Sequence, residues 1–401
     1  MFKDMKKPKN RASANSKRLY NYIHEYGPIS KTKLIELSGL TLSTLTRAME
    51  ILIRDELIYI CDIGESSGGR KPGLYRVNSS AGYIIGIDIS RTYTKVALMD
   101  IELNILKSSS FGMFSESVPQ DTLEKICNII DDFSKEFHKE KIIGVGIGAV
   151  GPIDMEEGKM LNPLNFPALG WKNVSIKKII EKKTGLITML ENGASAAVLG
   201  EHKKGVGKNV NNIAYIILGV GVRLGMLSKG EILNSPNSNE GAFGHTVIDI
   251  NGKNCSCGQK GCLEAYVSIK AIIDKFKEEI QEGSYSSFAE EIQYDLSEIN
   301  IDSFSKAAKS GDKIAIEVID KATSYLAVGV TNLVNILNPE LIIIGGPIIK
   351  KCDIFYEMAV NKAMDKIKNI TESRIIFSSG SLEDDAIVVG AGSRILDYYL
   401  K

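Results

Sequence analysis

Four side chains in the second half of the sequence carry the sharpest chemical signal. His245 is followed by Cys255, Cys257 and Cys262 in the run Cys-Ser-Cys-Gly-Gln-Lys-Gly-Cys. Three thiolates and an imidazole complete a tetrahedral shell, and the glycines among them let a short loop close around an ion, so the run predicts bound Zn2+. Four protein ligands leave no position open for water. The ion is therefore expected to be structural, fixing the loop from Gly241 to Glu264. The other cysteines, Cys61, Cys127 and Cys352, are scattered, and a disulfide framework is not expected in a chain of 401 residues with so large a core.

A second candidate is the glycine run from Gly144 to Gly151, in which Gly146, Gly148 and Gly151 have the spacing of a dinucleotide fingerprint. That fingerprint must open a helix whose N-terminus holds the pyrophosphate. Here Gly151 runs into Pro152-Ile153-Asp154, so turn or packing roles are expected instead. A similar run, Gly219-Val-Gly-Val-Arg-Leu-Gly225, follows about 75 residues later and hints at a fold built twice.

These runs must be positioned by regular elements. Strand-like segments at 83–89, 94–99, 142–148, 213–218 and 341–344 alternate with helical stretches, the signature of an α/β fold with mostly buried sheets. The front of the chain differs. Residues 1–80 hold 14 basic and 8 acidic side chains, whereas the whole chain holds 49 of each, so only the front is suited to a polyphosphate partner. The zero net charge excludes a protein coated all over with nucleic acid. No apolar run reaches the ~18 residues of a membrane span, and the polar start is unlike a secretory segment, so a cytoplasmic location is expected.

Within the front, residues 16–60 break at Gly27-Pro28, Gly39 and Asp55 into the spacing of a helix-turn-helix. Ser30 and Thr41 are placed to cap successive helices, the second running through Arg54 with Leu45, Ala48, Met49, Leu52 and Ile53 on one face. That leaves Ser43, Thr44, Thr46 and Arg47 at the end that meets base edges when such a helix enters a major groove. Segments 57–60 and 74–77 pair as a hairpin whose tip carries Arg70 and Lys71 for phosphates or a narrow minor groove, which makes it a wing.

With these motifs in view, the chain resembles the ROK family (repressors, open reading frames, kinases) over essentially its full length. The resemblance rests on Gly244-His245 with Cys-x-Cys-Gly-x-x-Gly-Cys-Leu-Glu264, supported by Gly86-Ile-Asp88, Gly146 to Pro152, Gly170-Trp171, Glu191-Asn192 and Ile344-Gly345-Gly346. It implies a winged helix-turn-helix followed by a two-lobed, actin-like (ribonuclease H-like) sugar kinase-type fold with a sugar cleft between the lobes. A winged helix in front is what the repressor branch carries, as in xylose and N-acetylglucosamine repressors. The expected boundaries are a basic arm at 1–14, the winged helix at 15–80, a first lobe at 81–200 with the C-terminal helix 384–401, and a second lobe with the zinc site at 201–383. By similarity, Asn165, Asn192, His245 and Glu264 face the effector sugar.

The departures concern catalysis. Kinase members place an aspartate after Glu-Asn as the base for the sugar hydroxyl, and this chain has Gly193, forgoing a contribution of about 10²- to 10⁴-fold. Their Asp-x-Gly-Gly-Thr turn reads Asp88-Ile-Ser90-Arg91-Thr92 here, and the second glycine turn holds Arg223 and Leu224. The Glu of Gly-Glu-x-Gly-His is replaced by Ala242. Arg91 and Arg223 thus stand where the kinases hold nucleotide phosphates, and they either contact a phosphate or fill a disused pocket. The expectation is a DNA-binding repressor of carbohydrate genes without kinase activity, binding an inverted-repeat operator as a homodimer or homotetramer under control of a sugar or sugar derivative. The competing readings are a sugar kinase fused to a DNA-binding module, and a constitutive DNA-binding protein with a vestigial cleft.

Overall fold

The hydrophobic periodicity of the front becomes three helices and a hairpin in the structure, a computed structural model that describes residue 6 and residues 11–63, 73–233, 239–368 and 374–401. Helix α1 (Arg11–Tyr26) begins inside the stretch read as a basic arm, so residues 11–14 are already helical. A short strand β1 (Ile29–Ser30) leads into α2 (Lys31–Ser38). Ser30 caps α2 by accepting from the Lys33 amide, and Gly39 ends it with φ of 63°, a left-handed conformation that suits glycine. Thr41 caps α3 (Leu42–Arg54) by accepting from the Thr44 amide. Leu45, Ala48, Met49 and Leu52 are buried on one face of α3, but Ile53, expected with them, is exposed at the last turn. Strands β2 (Ile58–Ile63) and β3 (Gly73–Val77) form the hairpin, with β3 central between β1 and β2.

The first lobe is a five-stranded sheet in the order β10-β7-β4-β5-β6. Its strands are β4 (Tyr83–Ile89), β5 (Tyr93–Asp100), β6 (Ile105–Gly112), β7 (Ile142–Ala149) and β10 (Thr188–Asn192). Helix α4 (Pro119–Glu136) and α5 (Ile176–Thr184) supply apolar residues to one core with β4, β5, β7 and Trp171. The small hairpin β8 (Ile153–Asp154) and β9 (Lys159–Met160) follows the glycine run, which therefore opens a turn and not a helix. Helix α6 (Gly193–Lys204) leaves the sheet for the second lobe.

That lobe repeats the plan with the order β13-β12-β11-β14-β15. Its strands are β11 (Ile213–Leu218), β12 (Val222–Ser228), β13 (Glu231–Ile232), β14 (Leu341–Gly345) and β15 (Ile376–Ser378). Helices α7 (Glu264–Val267), α8 (Ile269–Gln281), α9 (Ser287–Glu291), α10 (Ile301–Lys309), α11 (Lys313–Leu337), α12 (Pro347–Lys351) and α13 (Asp353–Ile367) complete it. The C-terminal helix α14 (Ala386–Leu400) then returns to pack on β4 and β7 of the first lobe. It crosses α6 so closely that a methyl on Gly390 would collide with the Ala196 carbonyl, and one on Gly200 with the Ala386 carbonyl. Among the described residues, no helix is long and apolar enough to cross a membrane.

The helical front does not hang free. Leu19, Tyr20 and Ile23 of α1 share one core with Ile101 and Leu103 of the first lobe and with Leu396 and Tyr399 of α14. Polar bonds pin the same seam: Asn21 Nδ2 donates to the Leu400 carbonyl at 2.8 Å, Arg76 Nη2 pairs with Glu102 at 3.3 Å, and His24 Nε2 lies 3.2 Å from the Ile101 carbonyl oxygen.

Candidate functional site

The candidate metal ligands come together as their spacing requires. His245 ends a short helical turn, Asn239–His245, and the loop behind it folds back so that the Cys255 amide donates to the Gln259 carbonyl (2.8 Å) and the Gly261 amide to the Lys253 carbonyl (2.8 Å). Gly261 has φ of 73° and packs against Asp249 with no space for a side chain, so glycine is required there. The Sγ of Cys257 lies 3.7 Å from that of Cys262, and the Sγ of Cys255 lies 3.6 Å from His245 Nδ1. All four ligand atoms fall within 4.8 Å of one another. A tetrahedron with metal–sulfur bonds of ~2.3 Å has edges near ~3.7 Å, so the donor set fits a metal ion of that kind. Burial pushes the Cys262 thiol up to about 12, and a bound cation is what would make it a thiolate.

The same loop positions the cleft. Glu264 follows Cys262 by two residues and opens α7, where its Oε2 accepts from the Val222 amide at 2.8 Å and its Oε1 from Ser256 Oγ at 3.5 Å. Ser256, between Cys255 and Cys257, also accepts from Asn165 Nδ2 at 3.4 Å. Asn165 belongs to the first lobe, in the left-handed region with φ of 55°, so this contact crosses between the lobes. The structure thus brings Asn165 and Glu264 together through Ser256, a hydroxyl that the sequence reading missed although it sits inside the cysteine run. Asn192 does not join them: its Oδ1 is used to cap α6, accepting from the Ala194 amide at 2.9 Å. His245 lies with the three thiols, its Nδ1 facing Cys255.

On the far side of Glu264 lie the two arginines. Arg91 donates from Nε to the Leu164 carbonyl at 2.9 Å, next to Asn165. Arg223, read from the sequence as part of a turn, instead lies within β12, paired with Ile217 of β11, because the turn closes within Gly219–Gly221 and the antiparallel ladder resumes at Val222. Its guanidinium reaches across to Gly193: a Cβ added there would lie 3.2 Å from Arg223 Nη1. Desolvation pulls the Arg91 guanidinium down to about 10, and the nearby Arg223 cation adds to the effect while Glu264 opposes it. Burial likewise lowers Arg223, with Asp88, Tyr93 and Glu264 opposing. Asp88, fully enclosed in β4, accepts from Ser90 Oγ at 2.7 Å, and its burial lifts the carboxyl to about 6. No carboxylate is available at position 193 to take a proton from a hydroxyl.

In the front, Ser43 and Arg47 are exposed on α3 and Thr46 is half-buried. Thr44 has a local partner. Its Oγ1 accepts from the Thr41 hydroxyl at 2.9 Å, beside the cap bond from the Thr44 amide to Thr41 Oγ1. Leu42, not anticipated, is 61% exposed beside Ser43. Arg70 and Lys71 lie outside the described residues.

Comparison with known proteins agrees with this geometry. The ROK family profile matches residues 84–397. The chain is 30% identical over 396 residues to the xylose repressor of Bacillus spizizenii, covering 96% of each chain. It is 32% identical over 312 residues to the glucokinase of Thermotoga maritima, covering 78% of this chain and 96% of that one. A solved ROK family transcriptional regulator, described as a homologue of the E. coli MLC protein, superposes with a TM-score of 0.80 at 27% identity over 96% of both chains. From the residues it shares with these proteins and the fold that carries them, the chain belongs to the ROK family.

Proposed function

We propose that this protein is a DNA-binding transcriptional repressor of carbohydrate-utilisation genes, switched by a sugar or sugar derivative in the cleft between its lobes. The observation that carries the reading is the shared core of α1, the first lobe and α14, which ties the helix-turn-helix to the lobe that presents Asn165 to the cleft. A change in lobe closure then has a packed route to the DNA-reading helices. The similarity to a xylose repressor over 96% of the chain supports this, and it makes xylose the first effector to try. Two copies reading an inverted repeat are the arrangement that suits a helix-turn-helix.

The ion in the cluster of three cysteines and one histidine is zinc in this reading, with the structural task of holding the loop that presents Ser256 and Glu264. The kinase reading draws on the similarity to glucokinases, and Gly193 with the Arg223 guanidinium beside it opposes that.

The test is to incubate the purified chain with sheared genomic DNA at near-physiological salt, with and without candidate sugars, and to sequence the retained fragments. A symmetric site beside carbohydrate genes, lost or gained on adding one sugar, is the expected result. No enrichment under either condition would overturn the repressor reading.

A further inference from the structure

Two helices cross between the lobes, and one of them also reaches the helical front. Ala197 and Val198 of α6 and Ile387 and Ala391 of α14 pack with Tyr215 and Ile217 of the second lobe. Elsewhere on α14, Ile395, Leu396 and Tyr399 join the core that holds Leu19, Tyr20 and Ile23 of α1. With 15 residues α14 is about 22 Å long, enough to run from the second lobe to the front as one stiff element.

Two buried carboxylates fasten α6 to α14, one near each end of α6. Glu201, in its last turn, is fully enclosed. Its Oε1 accepts from the Ser381 and Leu382 amides at 2.8 and 2.9 Å, at the entry to α14. Its Oε2 accepts from the Val206 amide and from Ser381 Oγ, each at 3.0 Å. Glu191 precedes the Asn192 cap of α6, and its side chain is only 3% exposed. Its Oε2 pairs with Arg394 Nε of α14 at 3.2 Å, and its Oε1 accepts from the Asn192 amide at 3.0 Å. At the crossing itself the backbones meet at Gly200 and Gly390. A carboxylate that loses its donors in the interior is strongly unfavourable, so slippage of one helix along the other is opposed at both fastenings. Packed surfaces of this kind move as blocks and do not deform smoothly.

We propose that α6 and α14 form one rigid lever, with Glu191 and Arg394 as the positioning pair that fixes its seat on α1. Glu191 grips α14 at the point where the first-lobe strand β10 turns into the helix that enters the second lobe. Arg394 lies in the same stretch of α14 as Leu396 and as Leu400, whose carbonyl holds Asn21 of α1. A displacement at the β10–α6 junction therefore moves the part of α14 on which α1 rests. The consequence for DNA rests on the repressor reading, whereas the lever is a mechanical property of the chain. Cutting the pair leaves Asn165, Glu264 and the exposed face of α3 in place and removes a connection between them, so each ligand should still bind while its influence on the other falls.

The experiment measures amide hydrogen exchange along the full chain, and retention of genomic DNA with and without xylose. It compares the parent, Arg394→Lys, Ser381→Ala, Lys306→Gln and a double variant carrying Glu191→Gln with Arg394→Gln, which leaves no charge unpaired. Thermal unfolding of each checks folding. Without any ligand, the amides of residues 19–24 in α1 should exchange about 10-fold faster in the double variant and about 3-fold faster in Ser381→Ala, while those of β14 hold. Arg394→Lys keeps a cation for Glu191 and should recover most of the protection. Lys306→Gln cuts only an exposed pair with Glu291 and should match the parent. Unchanged α1 exchange in the folded variants overturns the lever, and Ser381→Ala alone decides this if the double variant does not fold. Acceleration shared equally by β14 is a general loss of stability and overturns it too. Where xylose changes DNA retention by the parent, that change should shrink about fivefold or more in the double variant with xylose affinity held within about threefold. An undiminished response overturns the coupling. A parent that retains no DNA removes the repressor reading, and α1 exchange still decides the lever.

Discussion

The Nη1 of Arg223 lies 3.2 Å from the point where the first side-chain carbon of any residue other than glycine would sit at position 193. Two departures that are 30 residues apart in the chain are therefore one structural event: the guanidinium takes up space beside α6 that a side chain at 193 would need. An aspartate restored there would meet a cation before it met a sugar hydroxyl, and an ion-paired carboxylate is a weak base. Gly193→Asp alone is expected to release no more ADP than the parent in a coupled assay across a sugar panel. Any gain requires Arg223→Gly as well. Sugar-dependent ADP release by the unaltered chain would remove the non-enzymatic reading.

Asp88 gives a pH signature. It is 1% exposed, Ser90 bonds one of its oxygens, and Tyr93 stands close by. With its carboxyl lifted to about 6, the folded chain holds the proton more tightly than the unfolded chain does. The stability this contributes is fully present below the ordinary carboxyl range near ~4 and is lost as pH rises through about 6. Asp88→Asn removes the ionisation and keeps an acceptor for Ser90. Urea unfolding should show the variant gaining on the parent between about pH 4 and pH 6 and levelling above, by no more than about 3 kcal/mol, since Arg223 also loses a nearby carboxylate. A pH-independent difference would show that Asp88 does not titrate in this range.

The cysteine cluster predicts a metal-dependent cleft. Metal analysis should find one zinc per chain, and Cys262→Ser should abolish it. With the loop from 241 to 264 unclamped, a loss of roughly 2 kcal/mol lowers the melting temperature by about 4 to 8 °C. Sugar binding should weaken in the same variant, because Ser256 and Glu264 are carried on that loop. A melting transition and sugar affinity both unmoved by strong chelation would show that no ion holds the loop.

What was legible in the sequence was what local chemistry determines. The caps at Ser30 and Thr41, the left-handed Gly39 and the buried stripe of α3 follow from residue types a few positions apart. So does the thiol cluster, whose three sulfurs lie within eight residues. The strands buried on both faces, such as β4 and β7, stood out as apolar runs, but β6 did not. It is the edge of its sheet and presents Lys107, Ser108 and Ser110 to solvent, so it carries no long apolar run to find. Arg223 was misplaced because whether it ends a turn or joins a strand is decided by its pairing with Ile217, and its approach to Gly193 by how α6 packs against β12. Thr44, expected to face base edges, also accepts from the Thr41 hydroxyl, a competition between a local bond and an outward contact that residue type alone does not decide.

That competition separates two kinds of DNA-binding defect within four residues of α3. Thr44→Ala removes the oxygen that accepts from the Thr41 cap hydroxyl and leaves the cap bond to its own amide, so it should cost no more than about 1 kcal/mol of stability while leaving the preferred DNA sequence unchanged. Arg47→Ala leaves the cap intact and removes an exposed donor that can reach a base edge. It should weaken retention of the selected site by about 1 to 3 kcal/mol and relax preference at the contacted position. Leu42→Ala removes an uncovered apolar group suited to a thymine methyl, and its loss should be matched, and not added to, when thymine in the site is replaced by uracil. Binding of each variant to the selected site and to single-base changes, beside its urea unfolding curve, separates these outcomes. Relaxed base preference in Thr44→Ala with unchanged stability would show that this hydroxyl reads DNA and that its bond from Thr41 gives way on binding.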